Sequence, residues 1–556
     1  MDTYRELPNG SARLSEVQYN TFGLVTDDKE YNYGVALGAA PSPASIISET
    51  TTSFNGVTTS GIASEVATQV VYNGSSATAS KLSSATFTYD GVATTTTSST
   101  PQHVTISGGN GNLTNATYMT GNLFGPLTYN YTYYDTGTPN TVTGANGAVT
   151  TYVYGSSSCG NSFPTLIEEP LGLSRSIVWN CTGGVSTQVT DENGNLTTSS
   201  FTDPNFWRPT QTTDQESNAT TISYHGATSV ESSLSFNSGG SVSDVLTTVD
   251  GYGRPAFMQK RQGPGATDYD TIEVDYNSTG QADRTTLPYS AAGSPSSPNS
   301  SAPVTTKTFD ALGRVLTITK GDGGTISFTY TNNDVLKKVS GSQTFQKQFE
   351  YDGLGRLTSV CEISSSLPGA ASCGQGVSQN GYLTKYTYDG LGHLLTVTQN
   401  AQPSGSTQTR SFAYDLMGRM TSEMDPETGT FNYFWDAHPT GCKFSASFPG
   451  NLAATEDNAQ VFTCNAYDRR NRLVGANTTA SNNCRGYIYD TGTAPSGVTV
   501  LNGKGRMIAA YTNSACNGRN NLVVDEWFSY SPRGEVTDVY QSSPHSGGYY
   551  HTSQSY

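Results

Sequence analysis

From Lys307 to Val360 apolar and polar residues alternate in short runs that are broken by turn residues about every ten positions. Lys307-Thr308-Phe309-Asp310 reads as strand, Ala311-Leu312-Gly313 as turn, and Arg314 to Lys320 as an alternating strand. Gly321-Asp322-Gly323-Gly324 reverses the chain, Thr325 to Tyr330 returns it, and Thr331-Asn332-Asn333-Asp334 turns it again. Period-2 alternation punctuated in this way predicts an antiparallel meander of hairpins. Equivalent turn positions at 310, 331 and 352 are 21 residues apart, the length of one two-stranded unit. No window carries a sustained 3.6-residue period, so the pattern predicts strand throughout, with little helix.

Inside this pattern one phrase recurs. It reads Phe309-Asp310-Ala311-Leu312-Gly313-Arg314, then Tyr351-Asp352-Gly353-Leu354-Gly355-Arg356. It returns as Tyr388-Asp389-Gly390-Leu391-Gly392-His393 and as Tyr414-Asp415-Leu416-Met417-Gly418-Arg419. Val249-Asp250-Gly251-Tyr252-Gly253-Arg254 keeps it well, and Tyr467-Asp468-Arg469-Arg470-Asn471-Arg472 exchanges Gly for Asn, a residue that also tolerates positive φ. Tyr530-Ser531-Pro532-Arg533-Gly534, Thr190-Asp191-Glu192-Asn193-Gly194 and Tyr134-Asp135-Thr136-Gly137 read as worn copies. An internal period of this kind fixes architecture before it suggests chemistry. Turn physics accounts for each member. The Gly supplies positive φ, the Asp accepts hydrogen bonds from turn amides, and the Arg can reach that Asp across the hairpin. The aromatic is expected to be largely buried and to stack on its equivalent in the next unit, for Tyr351, Tyr388 and Tyr414 in particular.

Composition agrees. Charged residues make up 13% of the 556, against a usual ~25%, while Gly (59) and Tyr (34) are abundant. The net charge of −16 argues against a nucleic-acid surface. No run approaches the ~20 apolar residues of a membrane-spanning helix. Met1 to Leu24 lacks the basic-then-apolar pattern of a signal peptide and contains a repeat-like phrase at Tyr19 to Thr26, which suggests a piece of a longer protein.

Eight cysteines fall as Cys159 and Cys181, Cys361 and Cys373, Cys442 and Cys464, Cys484 and Cys516. Their spacing suits disulfide clips across adjacent hairpins, with Cys442 and Cys464 on neighbouring strands, and an even count favours an oxidising compartment. Buried free thiols are the alternative, and the absence of CxxC weakens a zinc site.

The phrases resemble the RHS or YD repeats of bacterial polymorphic toxins, of the B and C components of insecticidal Tc toxins and of teneurins. The resemblance covers roughly residues 120 to 540. It implies an all-β fold in which repeated hairpins form a long spiralling antiparallel sheet, a partial hollow shell. In such families the shell encloses a C-terminal toxin or serves as an adhesion scaffold. Family members that carry cargo end the shell with an Asp-Pro-x-Gly type segment. Here the nearest phrase, Asp425-Pro426-Glu427-Thr428-Gly429, lies mid-chain in a hairpin context.

The expected organisation is a divergent Ser/Thr-rich β region over 1–118, degenerate repeats over 119–290, a Ser/Pro-rich loop at 291–302 and the repeat shell proper over 303–556. The residues expected to build it are Asp250, Gly253, Arg254, Phe309, Asp310, Gly313, Arg314, Tyr351, Asp352, Gly355, Arg356, Tyr388, Asp389, Gly392, Tyr414, Asp415, Gly418, Arg419, Tyr467 and Asp468. No catalytic, cofactor or metal residue is assigned. The six histidines match no ligand or nucleophile motif. Asp191 to Asn195 has the oxygen-rich look of a calcium loop, but Asn-Gly is a hairpin signal and the downstream Glu of an EF-hand is missing. Glu168-Glu169 and Asp425/Glu427 read as turn carboxylates rather than a glycosidase pair. The expected function is a non-enzymatic shell segment of a secreted or surface protein, which encloses or displays a C-terminal effector. Its partners would be the rest of the same polypeptide or a neighbouring shell protein. The alternative is an adhesin or glycan-binding scaffold using Trp179, Trp207, Trp435 and Trp527 as stacking platforms.

Overall fold

The computed structural model describes the chain apart from residues 36–44, 57–60, 78, 98–99, 101–102, 105–108, 156–158, 237–239, 294–297, 365–372, 378, 404–405, 443–446, 482 and 515–518. The fold is all-β. A single 41-stranded sheet runs from Asp2–Glu6 to Tyr550–Ser553, each strand antiparallel to its neighbour, and it does not close on itself. The one named helical element among the described residues is a 3-10 turn at Pro170–Gly172. No described helix is long and apolar enough to cross a membrane.

Strands pair in chain order with one exception. Ala282–Thr286 and Tyr289–Ala292 both pair with Asp268–Tyr276, so together they occupy one lane of the ribbon. The next strand, Val304–Phe309, pairs with Ala282–Thr286. Of the Ser/Pro-rich loop expected at 291–302, Ala291 and Ala292 instead belong to the strand Tyr289–Ala292, paired with Tyr269 and Asp268, and 294–297 lie outside the described residues.

With the lanes counted this way, the ribbon has two distinct rims. One carries every Asp-to-Arg repeat turn: Asp250–Arg254, Asp310–Arg314, Asp352–Arg356, Asp389–His393, Asp415–Arg419 and Asp468–Arg472. The opposite rim carries turns without that Arg, such as Gly144–Ala148, Asp191–Asn195 and Asp214–Asn218. The phrase at Thr190 to Thr197 is therefore not a worn copy of the repeat but a hairpin turn of the other rim.

The ribbon coils. Hydrogen bonds join residues 307 to 337 apart in sequence, among them Asn32 with Gly353, Asn73 with Gly390 and Asn146 with Asn471. Each of these contacts sets the repeat-bearing rim of the later coil on the Arg-free rim of the earlier one. About two dozen strands make one coil. At the ~4.8 Å spacing of neighbouring strands that is a circumference of about 110 Å, a ring roughly 35 Å across between backbones.

Among the described residues there is no single apolar core. Small buried clusters recur along the ribbon: Leu14, Tyr31 and Val35; Cys361, Cys373 and Leu383; Ile508, Ala509, Trp527 and Tyr540. This is how a repeat protein distributes its burial, each unit packing on its neighbours.

Candidate functional site

The residues of the repeat converge on the turn rim, and one turn shows the rule. In Asp352–Arg356 the Asp352 Oδ1 accepts the backbone N–H of Leu354 and Arg356, at 3.0 and 2.9 Å. Its Oδ2 accepts Arg356 Nε at 2.7 Å. Gly355 sits at φ 78°, the left-handed conformation the tight turn requires. Asp250, Asp310, Asp415 and Asp468 repeat this pattern with Arg254, Arg314, Arg419 and Arg472 at 2.7 to 2.8 Å. His393 replaces the arginine, and its Nδ1 lies 2.7 Å from Asp389 Oδ2. The Arg254 side chain, then the backbone N–H groups of Arg254 and Tyr252, hold the Asp250 carboxyl below the usual range against the opposing effect of burial.

The aromatic member behaves differently from the expectation. Tyr388 and Tyr414 do not stack on neighbouring tyrosines. The Arg356 guanidinium lies over the Tyr388 ring at 5.1 Å, and the His393 ring stacks on Tyr414 at 4.8 Å. Arg254 covers Tyr276, Arg314 covers Tyr330, Arg419 covers Trp435 and Arg472 covers Tyr489. The polar tip of each aromatic then reaches back to the strand it leans on. Tyr330 Oη donates to Val315 O, Tyr388 Oη to Leu357 O, Tyr414 Oη to Leu394 O and Trp435 Nε1 to Met420 O, all at 2.8 to 3.0 Å. A guanidinium held over the electron-rich face of a ring is a better partner for that face than the face of a second ring, which would repel it. Tyr351, Tyr388 and Tyr414 are only partly buried, short of the burial expected for them. Phe309 and Tyr467 occupy the same position, and Tyr467 Oη donates to Leu452 O at 2.9 Å. Each repeat is thus locked to the next by Asp to Arg to ring to backbone.

The energetic weight of these links differs with their cover. The Arg314 side chain is 42% exposed, and it meets Asp310 at the open rim of the first coil. Arg314→Ala is expected to cost about 1 kcal/mol or less, the range of exposed ion pairs and exposed cation–π contacts, in urea unfolding of the whole chain.

Where the coils meet, the turn residues gain a second role that the sequence did not reveal. Gly353 N donates to Asn32 Oδ1 and Gly390 N to Asn73 Oδ1, at 2.8 and 2.9 Å. Leu416 N donates to Thr120 O at 3.1 Å, and Arg470 pairs with Glu169 at 2.5 Å. Asn193 exchanges two hydrogen bonds with Lys504, and Asn195 reaches Asn502 and Pro532. The calcium-like loop at Asp191 is therefore a turn. Its Asp191 Oδ1 accepts the N–H of Asn193 and Asn195, and its asparagines dock the next coil.

One seam position is fully enclosed. Asp436, at φ 71° and 0% exposed, accepts Arg419 Nη1 and Nη2, Asn122 Nδ2 from the earlier coil and Gly450 N. Burial pushes its carboxyl up, but Arg419, Asn122 and Gly450 outweigh that and hold it below the ordinary range. Arg472 makes the equivalent bridge from Asp468 to Asp490.

Disulfides join Cys159 to Cys181, Cys361 to Cys373 and Cys442 to Cys464, with Cα separations of 5.1, 6.0 and 5.8 Å. Their placement corrects one expectation. Cys442 is not on a strand but in the connection after Gly429–Ala437, so that clip ties a loop to the strand Phe462–Tyr467. Cys484 is disulfide-bonded as well, and Cys516 lies outside the described residues.

Three tryptophans are engaged in the wall: Trp527 is fully buried, Trp179 donates to Pro164 O, and Trp435 sits under Arg419. Trp207 is 45% exposed and lies over Gly183. Glu169 belongs to the seam, and Asp425 and Glu427 flank a hairpin turn beside Arg410. His551 stacks on Tyr540 and bonds Asp538.

No family model and no curated protein sequence matches the chain. Solved structures do. The fold is similar to TcdB2-TccC3 without its hypervariable C-terminal region, with a TM-score of 0.55 at 10% identity over 98% of this chain and 38% of that one. It is also similar to the Photorhabdus luminescens Tc holotoxin pore with a mutant TccC3, with a TM-score of 0.50 at 9% identity over 97% of this chain and 41% of that one. The chain thus spans about two fifths of the length of the solved chains it matches, and shares with them its architecture.

Proposed function

We propose that this chain is a non-enzymatic wall segment of an RHS/YD-type shell, which encloses or displays an effector. The observation that carries the reading is the fate of the repeat residues. The aspartates of the phrase hold their own turns, its arginines or histidine cover the aromatic of the next repeat, and several turn residues dock the next coil, so the most chemically conspicuous side chains are the mortar of the wall. A coiled antiparallel ribbon with its backbone groups paired is rigid at small cost per added repeat, which suits a container. The resemblance in fold to Tc toxin components supports a place in a multi-part toxin assembly, with the partner being further polypeptide of the same protein or an adjoining shell protein. The 1–118, 119–290 and 303–556 regions are read as one continuous shell wall rather than separate modules. Disulfide clips in three places fit an extracellular setting.

Purification of the native protein tests this reading. The expected result is a larger assembly in which this wall co-purifies with an effector-bearing segment, covalently continuous or released only by denaturant. Recovery of this wall alone, combined with glycan-array binding that Trp207→Ala abolishes, would overturn it in favour of a glycan-binding scaffold.

A further inference from the structure

One face of the ribbon near the start of the second coil gathers oxygen atoms with no counter-ion. Asp334 is paired with Glu350 and Leu336 with Gln348 across two adjacent strands, and Glu350 is paired in turn with Ser359. Period-2 alternation puts Asp334, Gln348, Glu350 and Ser359 on the same face, with directly opposed Cβ atoms about 5 Å apart. The segment after Cys373 is held over this face by the Cys361–Cys373 disulfide. Gln375 Nε2 donates to Ser359 Oγ at 2.7 Å and reaches Gln348 O at 3.4 Å. Gly376 lies so close that a Cβ there would stand 2.7 Å from Asp334 Oδ2.

The lid buries what it covers: Asp334 is 2% exposed, Gln348 1% and Gln375 7%. Three oxygens are left with no hydrogen-bond partner, Asp334 Oδ1, Gln348 Oε1 and Gln375 Oε1. All three are acceptors. Turning the Gln375 amide over does not relieve them, because the single Ser359 proton is already directed to Glu350 Oε2 at 2.9 Å. No ion pair among the described residues reaches Asp334 or Glu350. Of the arginines that line the cavity beside Asp334, Arg13 pairs with Glu30 and Arg314 with Asp310, and Arg5 makes no ion pair with Asp334 or Glu350. Asp334 accepts one backbone hydrogen bond from Val377, and against it burial, then the Glu350 charge, pushes the carboxyl up to about 6.

Buried acceptors left without a donor are costly unless a cation joins them. We infer that Asp334, Glu350, Gln348 and Gln375 form a calcium site, closed by the disulfide-anchored segment. The donor set decides the metal. It contains two carboxylates to balance a divalent charge, two neutral amide oxygens and no nitrogen or sulfur ligand, which disfavours zinc and copper. The mixture of strand and loop ligands suits the flexible six-to-eight oxygen shell of calcium better than the strict octahedron of magnesium.

The test uses the intact, disulfide-bonded chain, stripped with chelator and then titrated with calcium or magnesium by calorimetry and thermal unfolding. Calcium is expected to bind one-to-one at this site and to raise the melting temperature by several degrees, with magnesium well below it. Asp334→Asn is expected to abolish both effects. In calcium-free buffer it should melt at or above the wild-type temperature, since it removes a buried uncompensated charge. Glu350→Gln, on the less buried partner, should weaken binding at least tenfold and serves if Asp334→Asn does not fold. Absence of calcium binding by the stripped wild-type chain would overturn the site, as would undiminished binding by both variants.

Discussion

Arg419→Ala is expected to destabilise the chain by about 3–5 kcal/mol, several times the cost of the same change at Arg314. Both arginines belong to the same phrase, both bond an aspartate four residues earlier, and both cover an aromatic of the following repeat. Cover makes the difference. The Arg419 side chain is 12% exposed, and it supplies two of the hydrogen bonds to Asp436, which has no access to water. Its removal leaves a buried carboxylate with only Asn122 and Gly450 as donors. The measurement is a double-mutant cycle in urea. Adding Asp436→Asn to Arg419→Ala should recover a large part of the loss, because the remaining group is neutral. If the double variant is as unstable as the sum of the singles, the cost lies in packing over Trp435 and not in the stranded charge.

The contrast between these two arginines marks the limit of what the chain discloses on its own. The hairpin period, the all-strand fold and the Asp-to-Arg turn are all legible, because each rests on residues within about 20 positions of one another. Turn chemistry and period-2 alternation are local. The partner of each arginine is less so. The ring it covers lies 16 residues on at Tyr330 but 32 on at Tyr388, since intervening loops differ in length, and the spacing forms no regular signal. Identical residues at identical phrase positions suggest stacking of tyrosine on tyrosine, but the guanidinium of the preceding turn takes that ring face instead.

The seam is invisible at the level of sequence for a plainer reason. Its contacts span 296 to 337 residues and join turns of two different rims, so no local spacing or shared phrase marks which residue meets which. Asn193 and Asn195 illustrate the consequence: the same Asn-Gly phrase that announces a hairpin also supplies donors to Lys504 O and Pro532 O. The oxygen cluster at Asp334 was hidden in the same way. Its strand members follow from alternation, but its cover comes from Gln375 and Gly376, whose position is fixed by the Cys361–Cys373 disulfide.

One trace of the seam is nevertheless written in the phrase, at the residue after the aspartate, and it supports a matched experiment. That residue is Gly251, Ala311, Gly353 and Gly390 in four copies. A Cβ at Gly251 meets nothing within 4 Å, and Ala311 shows that a methyl group is accepted on the uncovered rim of the first coil. At Gly353 a Cβ would stand 3.1 Å from the Asn32 Cα and from Tyr31 O. At Gly390 it would stand 2.9 Å from Ile47 O and from Ser48 Cβ, and 3.1 Å from Tyr72 O. Two of those obstacles are backbone atoms of the earlier coil, which cannot rotate aside. None of these glycines except the later one of each turn holds a positive φ, so alanine brings no conformational strain of its own. Gly251→Ala is therefore expected to be neutral or stabilising by up to about 1 kcal/mol, through the reduced freedom of the unfolded chain. Gly390→Ala should destabilise by about 1–3 kcal/mol, the cost of forcing extra volume into a closed contact. Hydrogen exchange should localise the loss to both sides of the seam, at 46–54 and 66–72 as well as at 388–394, since local opening follows the contacts that hold a segment. Equal effects of the two substitutions, or protection lost only around residue 390, would mean that the coils do not touch in solution and that the ribbon is held by its strand pairing alone.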